Sequence, residues 1–295
     1  MKSIVIFAAF INLIIFSGCC DDSVNGPKYP VSPITRYDFS PVWFPDGHTI
    51  AYYHYDFGGD SSGTYLIDTS GNNKLLLINS EYKRVSDVSN DGNWLLIYDS
   101  EIYKMKSNGD SLIQLTFVSY SSKAAFSPDG NWIVYVSGSG TYQYSGIWIM
   151  KPDGTMQKQI GNADYALWLN NNENLYTVYD ERYIRKISVS DTNYNIMILD
   201  LNQVIPQFPY TYHICTSPDD LTIYFSACYN EVINYQIFSV NINGSNLNQL
   251  TLNQGTDLSL SPDGEQIVYC DPSQLNGYLW IMNKDGTNKR QLTFQ

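Results

Sequence analysis

The stretch FSPDGNWIVYVSG, residues 126–138, couples a tight turn to an alternating apolar run. The chain repeats the phrase as WFPDGHTIAYYH at 43–54 and LSPDGEQIVYCD at 260–271, with weaker copies at 88–99, 168–180 and 216–227. Pro presets φ for the second turn position, Asp tolerates the third, and Gly supplies the positive φ that closes a hairpin. Asp46, Asp91, Asp129, Asn171, Asp219 and Asp263 mark six such turns, about 38–48 residues apart. That spacing is the mark of a repeat architecture.

A second phrase follows the first: YLIDTSGN (65–72), YKMKSNGD (103–110), WIMKPDGT (148–155), FSVNINGS (238–245) and WIMNKDGT (280–287). An aromatic residue stands six places before the turn glycine in each, whereas RKISVSDT (185–192) has Arg185 and Asp191 at those places. Runs such as IQLT, NQLT and RQLT complete several copies. Each copy therefore reads as four short strands. A lone four-stranded unit cannot bury both its faces, but six stacked around an axis bury them all and leave only short edges. The expected fold is all-β, a six-bladed β-propeller of four-stranded antiparallel blades over residues 34–295, with almost no helix.

The pattern SPDG…I.Y…IWIM..DGT…QLT resembles the WD-like repeat of the TolB-type family across nearly all of residues 34–295. The resemblance implies the propeller and leaves the chemistry open, because such blades serve binding proteins, peptidase gates and lyases. TolB carries an α/β domain ahead of its propeller. No such segment is read here, so TolB's partners are not carried over.

The first residues, MKSIVIFAAFINLIIFSGCC, place Lys2 before an apolar run from Ile4 to Phe16. Thirteen residues fall short of the roughly 20 that span a bilayer as a helix. The segment reads as the core of a signal peptide, residues 1–18. Phe16-Ser17-Gly18-Cys19 resembles a bacterial lipobox, which implies acylation of the Cys19 thiol and cleavage before it. Residues 19–33 then form the acylated Cys and a flexible tether. The expectation is a monomer lipid-anchored in the cell envelope, on the periplasmic side of the outer membrane or at the cell surface.

Net charge of −12 with no Lys/Arg cluster excludes non-specific nucleic-acid binding. Three His, at 48, 54 and 213, are dispersed and give no metal-ligand spacing. The SPDG aspartates are explained as turn formers. There is no GxSxG elbow, and the glycine-rich GSGTYQYSG (138–146) lies between strands rather than before a helix. No catalytic residue, cofactor or metal is assigned. Cys215, Cys228 and Cys270 read either as small buried thiols or as one inter-strand disulfide with a spare.

Aligning the inner strands gives the most polar constellation. Three residues before the core positions Trp43, Val88, Phe126, Trp168, Thr216 and Leu260 stand Ser40, Val85, Lys123, Tyr165, His213 and Asp257. Lys123, Tyr165, His213 and Asp257 are expected near one mouth of the channel, either converging there or as scattered strand ends facing water. The long loops of the same face collect Tyr55, Tyr142, Tyr144, Tyr210, Tyr212 and Tyr229. Tyr joins apolar area to a hydroxyl and favours interfaces. The expected function is a non-catalytic binding or scaffold module for a protein or glycan partner. The alternative is an envelope glycan lyase or hydrolase working at the channel mouth around His213.

Overall fold

The computed structural model describes residues 36–117, 120–138, 146–205, 210–228, 235–272 and 276–294. They form six separate four-stranded antiparallel sheets, with strands in sequence order within each. The inner strands are β1 (Arg36–Trp43), β5 (Arg84–Val88), β9 (Ser121–Phe126), β13 (Tyr165–Trp168), β17 (Tyr210–Thr216) and β21 (Thr256–Leu260). Each opens one blade, and each blade ends in an outer strand such as β4 (Leu75–Asn79) or β16 (Asn195–Asp200). The only helix among the described residues is the single turn α1 (Leu201–Val204) between blades 4 and 5.

The SPDG turns behave as their chemistry dictates. In the turn at 127–130, Gly130 adopts φ 70° and its N–H donates to the Ser127 carbonyl at 2.8 Å. Ser127 Oγ donates to Asp129 Oδ1 at 2.6 Å, and the Asn131 N–H reaches the same oxygen at 3.0 Å. The Ser127 bond foremost, then the Asn131 N–H, holds the Asp129 carboxyl below its ordinary range. The Ser–Asp pair recurs at Ser89–Asp91, Ser217–Asp219 and Ser261–Asp263. These aspartates are structural, as the sequence implies.

No single core exists. Buried side chains fall into six clusters, one at each blade–blade interface. Leu96, Ile102 and Leu115 of blade 2 pack on Phe126, Ile133 and Met150 of blade 3. Val134, Ile147 and Ile149, on the other face of blade 3, pack on Ala166, Leu175 and Ile187 of blade 4. The period-2 alternation of each strand thus feeds both neighbours. The ring closes where Trp43, Ile50 and Tyr52 of blade 1 meet Val268, Leu279 and Ile281 of blade 6. There Tyr37 bridges Gly277 in parallel, and the Asp38 N–H donates to the Gly277 carbonyl at 3.0 Å. A Cβ on Gly277 would lie 2.4 Å from the Tyr37 ring, so only glycine lets the two chains approach this closely. Cys215, Cys228 and Cys270 are free thiols, which resolves the cysteine alternatives against a disulfide among them.

Candidate functional site

Six inner strands surround the channel without pairing with one another. Their inward backbone groups must find partners elsewhere. Side chains of neighbouring blades supply them. Trp43 Nε1 donates to the Ser259 carbonyl and Trp168 Nε1 to the Ala125 carbonyl, at 3.1 and 3.2 Å. Ser86 Oγ donates to the Ala124 carbonyl at 2.6 Å. Asp87 Oδ2 accepts the Phe126 N–H at 2.7 Å, and the Cys215 thiol accepts the equivalent Leu260 N–H.

Near its entry end, the inner strand of five blades carries a register irregularity. It falls at Phe39/Val42, Val85/Asp87, Thr211/Ile214 and Thr256/Ser259, and opposite Val134/Val136 in blade 3. Only β13 pairs regularly. Ser40, Lys123 and Asp257 take φ of 52°, 51° and 49°, a left-handed conformation unusual for residues with a Cβ. Bulges bend a strand and re-aim a side chain, and strained backbone of this kind gathers at functional sites.

The inner strands bring four of the aligned polar residues together. His213 Nδ1 lies 3.0 Å from Asp257 Oδ1 across the blade 5–blade 6 boundary. The His213 ring meets Tyr165 edge-on at 5.9 Å between centroids. Lys123 Nζ sits 5.1 Å from the Tyr165 ring centre and donates to the Asp164 carbonyl at 3.0 Å. One connected cluster thus runs from blade 3 to blade 6. Burial lowers the Lys123 pKa, against the pull of Asp164, Glu181 and Asp257. Burial first, then Asp164, raises the Glu181 carboxyl, while Lys123 opposes them. Burial raises the Tyr165 hydroxyl above its ordinary value, with Cys215, Asp87 and Asp257 adding to the effect. Ser40 and Val85 occupy the same level in blades 1 and 2 and enter none of these contacts.

Three of the tyrosines expected in rim loops stand in strands. Tyr55 is not in a loop. It pairs with Tyr37 inside the second strand of blade 1 (Thr49–Asp56), half-buried, with its ring 6.5 Å from Phe57. Tyr210 and Tyr212 belong to β17 rather than to the inter-blade link, because the link ends sooner than its polar composition suggests. Tyr142, Tyr144 and Tyr229 lie outside the described residues, as do Cys19 and the whole of residues 1–33.

Sequence reasoning missed two features. The first is a buried pair near the closing seam, His54 Nδ1 at 2.6 Å from Asp38 Oδ1, beside a cavity of about 150 Å³. Counting back in register from the first turn would set residue 38 opposite Tyr55, and the bulge between Phe39 and Val42 moves the pairing to His54. The second is Asp87, one residue before the core position Val88. It lines a cavity of about 300 Å³ at the turn end of the channel, with Leu167, Trp168, Cys215 and Ser259. Among the described residues, no three His, Cys, Asp or Glu side chains are grouped to hold a metal ion.

Burial pushes the Asp87 carboxyl up to about 7 against the N–H donors of Phe126 and Val88, from an ordinary 3.8. The folded chain therefore keeps a proton that the unfolded chain releases, and stability falls as pH rises from about 4 to about 7. Asp87→Asn removes this loss. The variant is expected to melt above wild type at pH 8, with the margin shrinking at pH 5. A difference in melting temperature that is the same at both pH values would contradict the assignment.

No protein-family model matches the chain, and no curated protein matches it in sequence. Solved structures do share its shape. A protein of Agrobacterium tumefaciens described as TolB superposes with a TM-score of 0.62 at 17% identity, over 74% of this chain and 83% of its own. The tricorn protease superposes at 0.64 and 13% identity over 88% of this chain, which spans only 26% of that protein. An oligogalacturonate lyase solved with manganese gives 0.57 at 10% identity, over 85% of this chain and 91% of its own. These likenesses establish architecture: the chain is a six-bladed β-propeller of the TolB-like fold.

Proposed function

We propose that the chain is a lipid-anchored protein of the bacterial cell envelope that holds a protein or glycan partner at one channel mouth, without catalysis. The observation that carries this reading is the cluster of Lys123, Tyr165, His213 and Asp257, drawn from four blades and brought into contact at one end of their inner strands. A cation, an aromatic face and a carboxylate-backed imidazole offer donor, stacking and acceptor chemistry in one place. Rigid scaffolds carry binding at such rims. The anchor rests on Phe16-Ser17-Gly18-Cys19 and the tether that follows.

One observation favours a second reading. A His–Asp pair beside a tyrosine, the arrangement of His213, Asp257 and Tyr165, is also the equipment of a general base. In that reading the mouth cleaves an envelope glycan.

Capture from envelope extract by the acyl-free chain, residues 21–295, separates the two. Lys123→Ala and His213→Ala are each expected to reduce the captured partner by about tenfold or more, with melting temperature little changed. Capture that survives both substitutions would sink the binding reading. Turnover of an envelope glycan that disappears in His213→Ala would establish the enzyme instead. Cys19→Ala should abolish the lipid mass and release the protein from membranes, and unchanged partitioning would refute the anchor.

A further inference from the structure

The opposite end of the channel holds a second polar site that the mouth cluster does not use. Its cavity, about 300 Å³, opens among the SPDG turns and is walled by the last residues of the inner strands. Asp87 is the one ionisable carboxylate on that wall, and no Lys, Arg or His lines it. Each side-chain nitrogen of the wall already donates to the protein. Trp168 Nε1 donates to the Ala125 carbonyl, Asn90 Nδ2 to the Pro128 carbonyl, and Asn170 Nδ2 to the Pro218 carbonyl at 2.7 Å. The wall also offers acceptor capacity. An ionised carboxylate offers about four lone-pair sites, and two N–H groups, those of Phe126 and Val88, bond to Asp87. The hydroxyls of Thr216 and Ser259 can also accept. Leu167, Ala125 and Leu260 supply apolar wall between these groups.

A cavity with several acceptors, one carboxyl and no cation in its wall suits a ligand that brings a positive charge and several N–H donors. We propose that the turn end of the channel binds a primary alkylammonium group, with Asp87 as its counter-ion. Three N–H bonds of an ammonium match the remaining carboxylate oxygen capacity and the two hydroxyls, while its alkyl chain lies along Leu167 and Leu260. The carboxyl that burial holds up near 7 gains from the ammonium the counter-charge that its wall lacks. Tyr165 of the mouth cluster feels the charge of Asp87, but the cavity is walled by other residues and the proposal does not rest on the binding reading given above. The ammonium belongs either to a free diamine or to a lysine side chain of a protein.

Calorimetric titration of the full chain with butylammonium, 1-butanol and butyrate tests the charge and the donors together. Butylammonium is expected to bind, and the two isosteric controls are not. Asp87→Asn keeps an oxygen for the Phe126 N–H and should fold, yet weaken butylammonium by about tenfold or more. Ala125→Leu fills the cavity without touching the charge and is expected to abolish binding, with the circular dichroism of the fold retained. Lys158→Ala, on an exposed outer strand, should leave the affinity unchanged. Parallel titrations with 1,4-diaminobutane and a capped lysine peptide show which source the site prefers. Equal binding of butanol and butylammonium, or undiminished binding by Asp87→Asn, would overturn the proposal.

Discussion

The inner edge of each blade is left unpaired, and much of the molecule follows from that constraint. Six sheets that do not hydrogen-bond across the channel leave a circle of backbone donors and acceptors with no strand partner. An orphaned buried group costs about 1–3 kcal/mol, so side chains must reach across from the next blade. Asp87 to the Phe126 N–H, Cys215 to the Leu260 N–H and the two indoles of Trp43 and Trp168 to carbonyls are solutions to one problem. The same residues that close the ring also furnish the channel wall. That is why polar and titratable groups lie inside an otherwise apolar assembly.

Closure itself is distributed. Each interface has its own apolar cluster, so the stability of one blade depends on both neighbours and the seam between blades 1 and 6 completes the circle. At that seam the bare Cα of Gly277 admits the Tyr37 ring, and the His54–Asp38 pair sits behind it. The mouth cluster depends on this ring, because Lys123, Tyr165, His213 and Asp257 come from four different blades and meet only when the circle is complete.

The blades were legible because turn chemistry is local. Asp129 and Gly130 declare a hairpin whatever lies beyond it, and the recurrence of that hairpin counts the blades. Aligning the strands on those turns also put Lys123, Tyr165, His213 and Asp257 at one level, since residues equidistant from equivalent turns lie at equivalent heights. Two kinds of feature escaped. Bulges at Ser40, Lys123 and Asp257 have no composition signal, because none of the three is glycine although all adopt positive φ. Strand ends also overran their expected limits. Tyr55 and Tyr210 look like loop residues because each adjoins a Gly- or Pro-containing stretch, but they extend ladders set by partners distant in sequence, Tyr37 and Cys228. Asp87 was hidden for a related reason. Its partner is the backbone of the next blade, which no pattern along one strand reveals.

The two ends of the channel are chemically distinct. One gathers a lysine, an aromatic ring and a His–Asp pair, and the other offers a single carboxyl in a wall without cations. The proposed partner capture lies at the first of these ends. Hydrogen exchange of the chain, free and with its captured partner, reads that claim directly. Protection should appear on the backbone of residues 121–126, 165–168, 210–216 and 256–260, while the outer strands at 75–79 and 195–200 exchange as before. Protection confined to those outer strands, with the mouth unchanged, would contradict it.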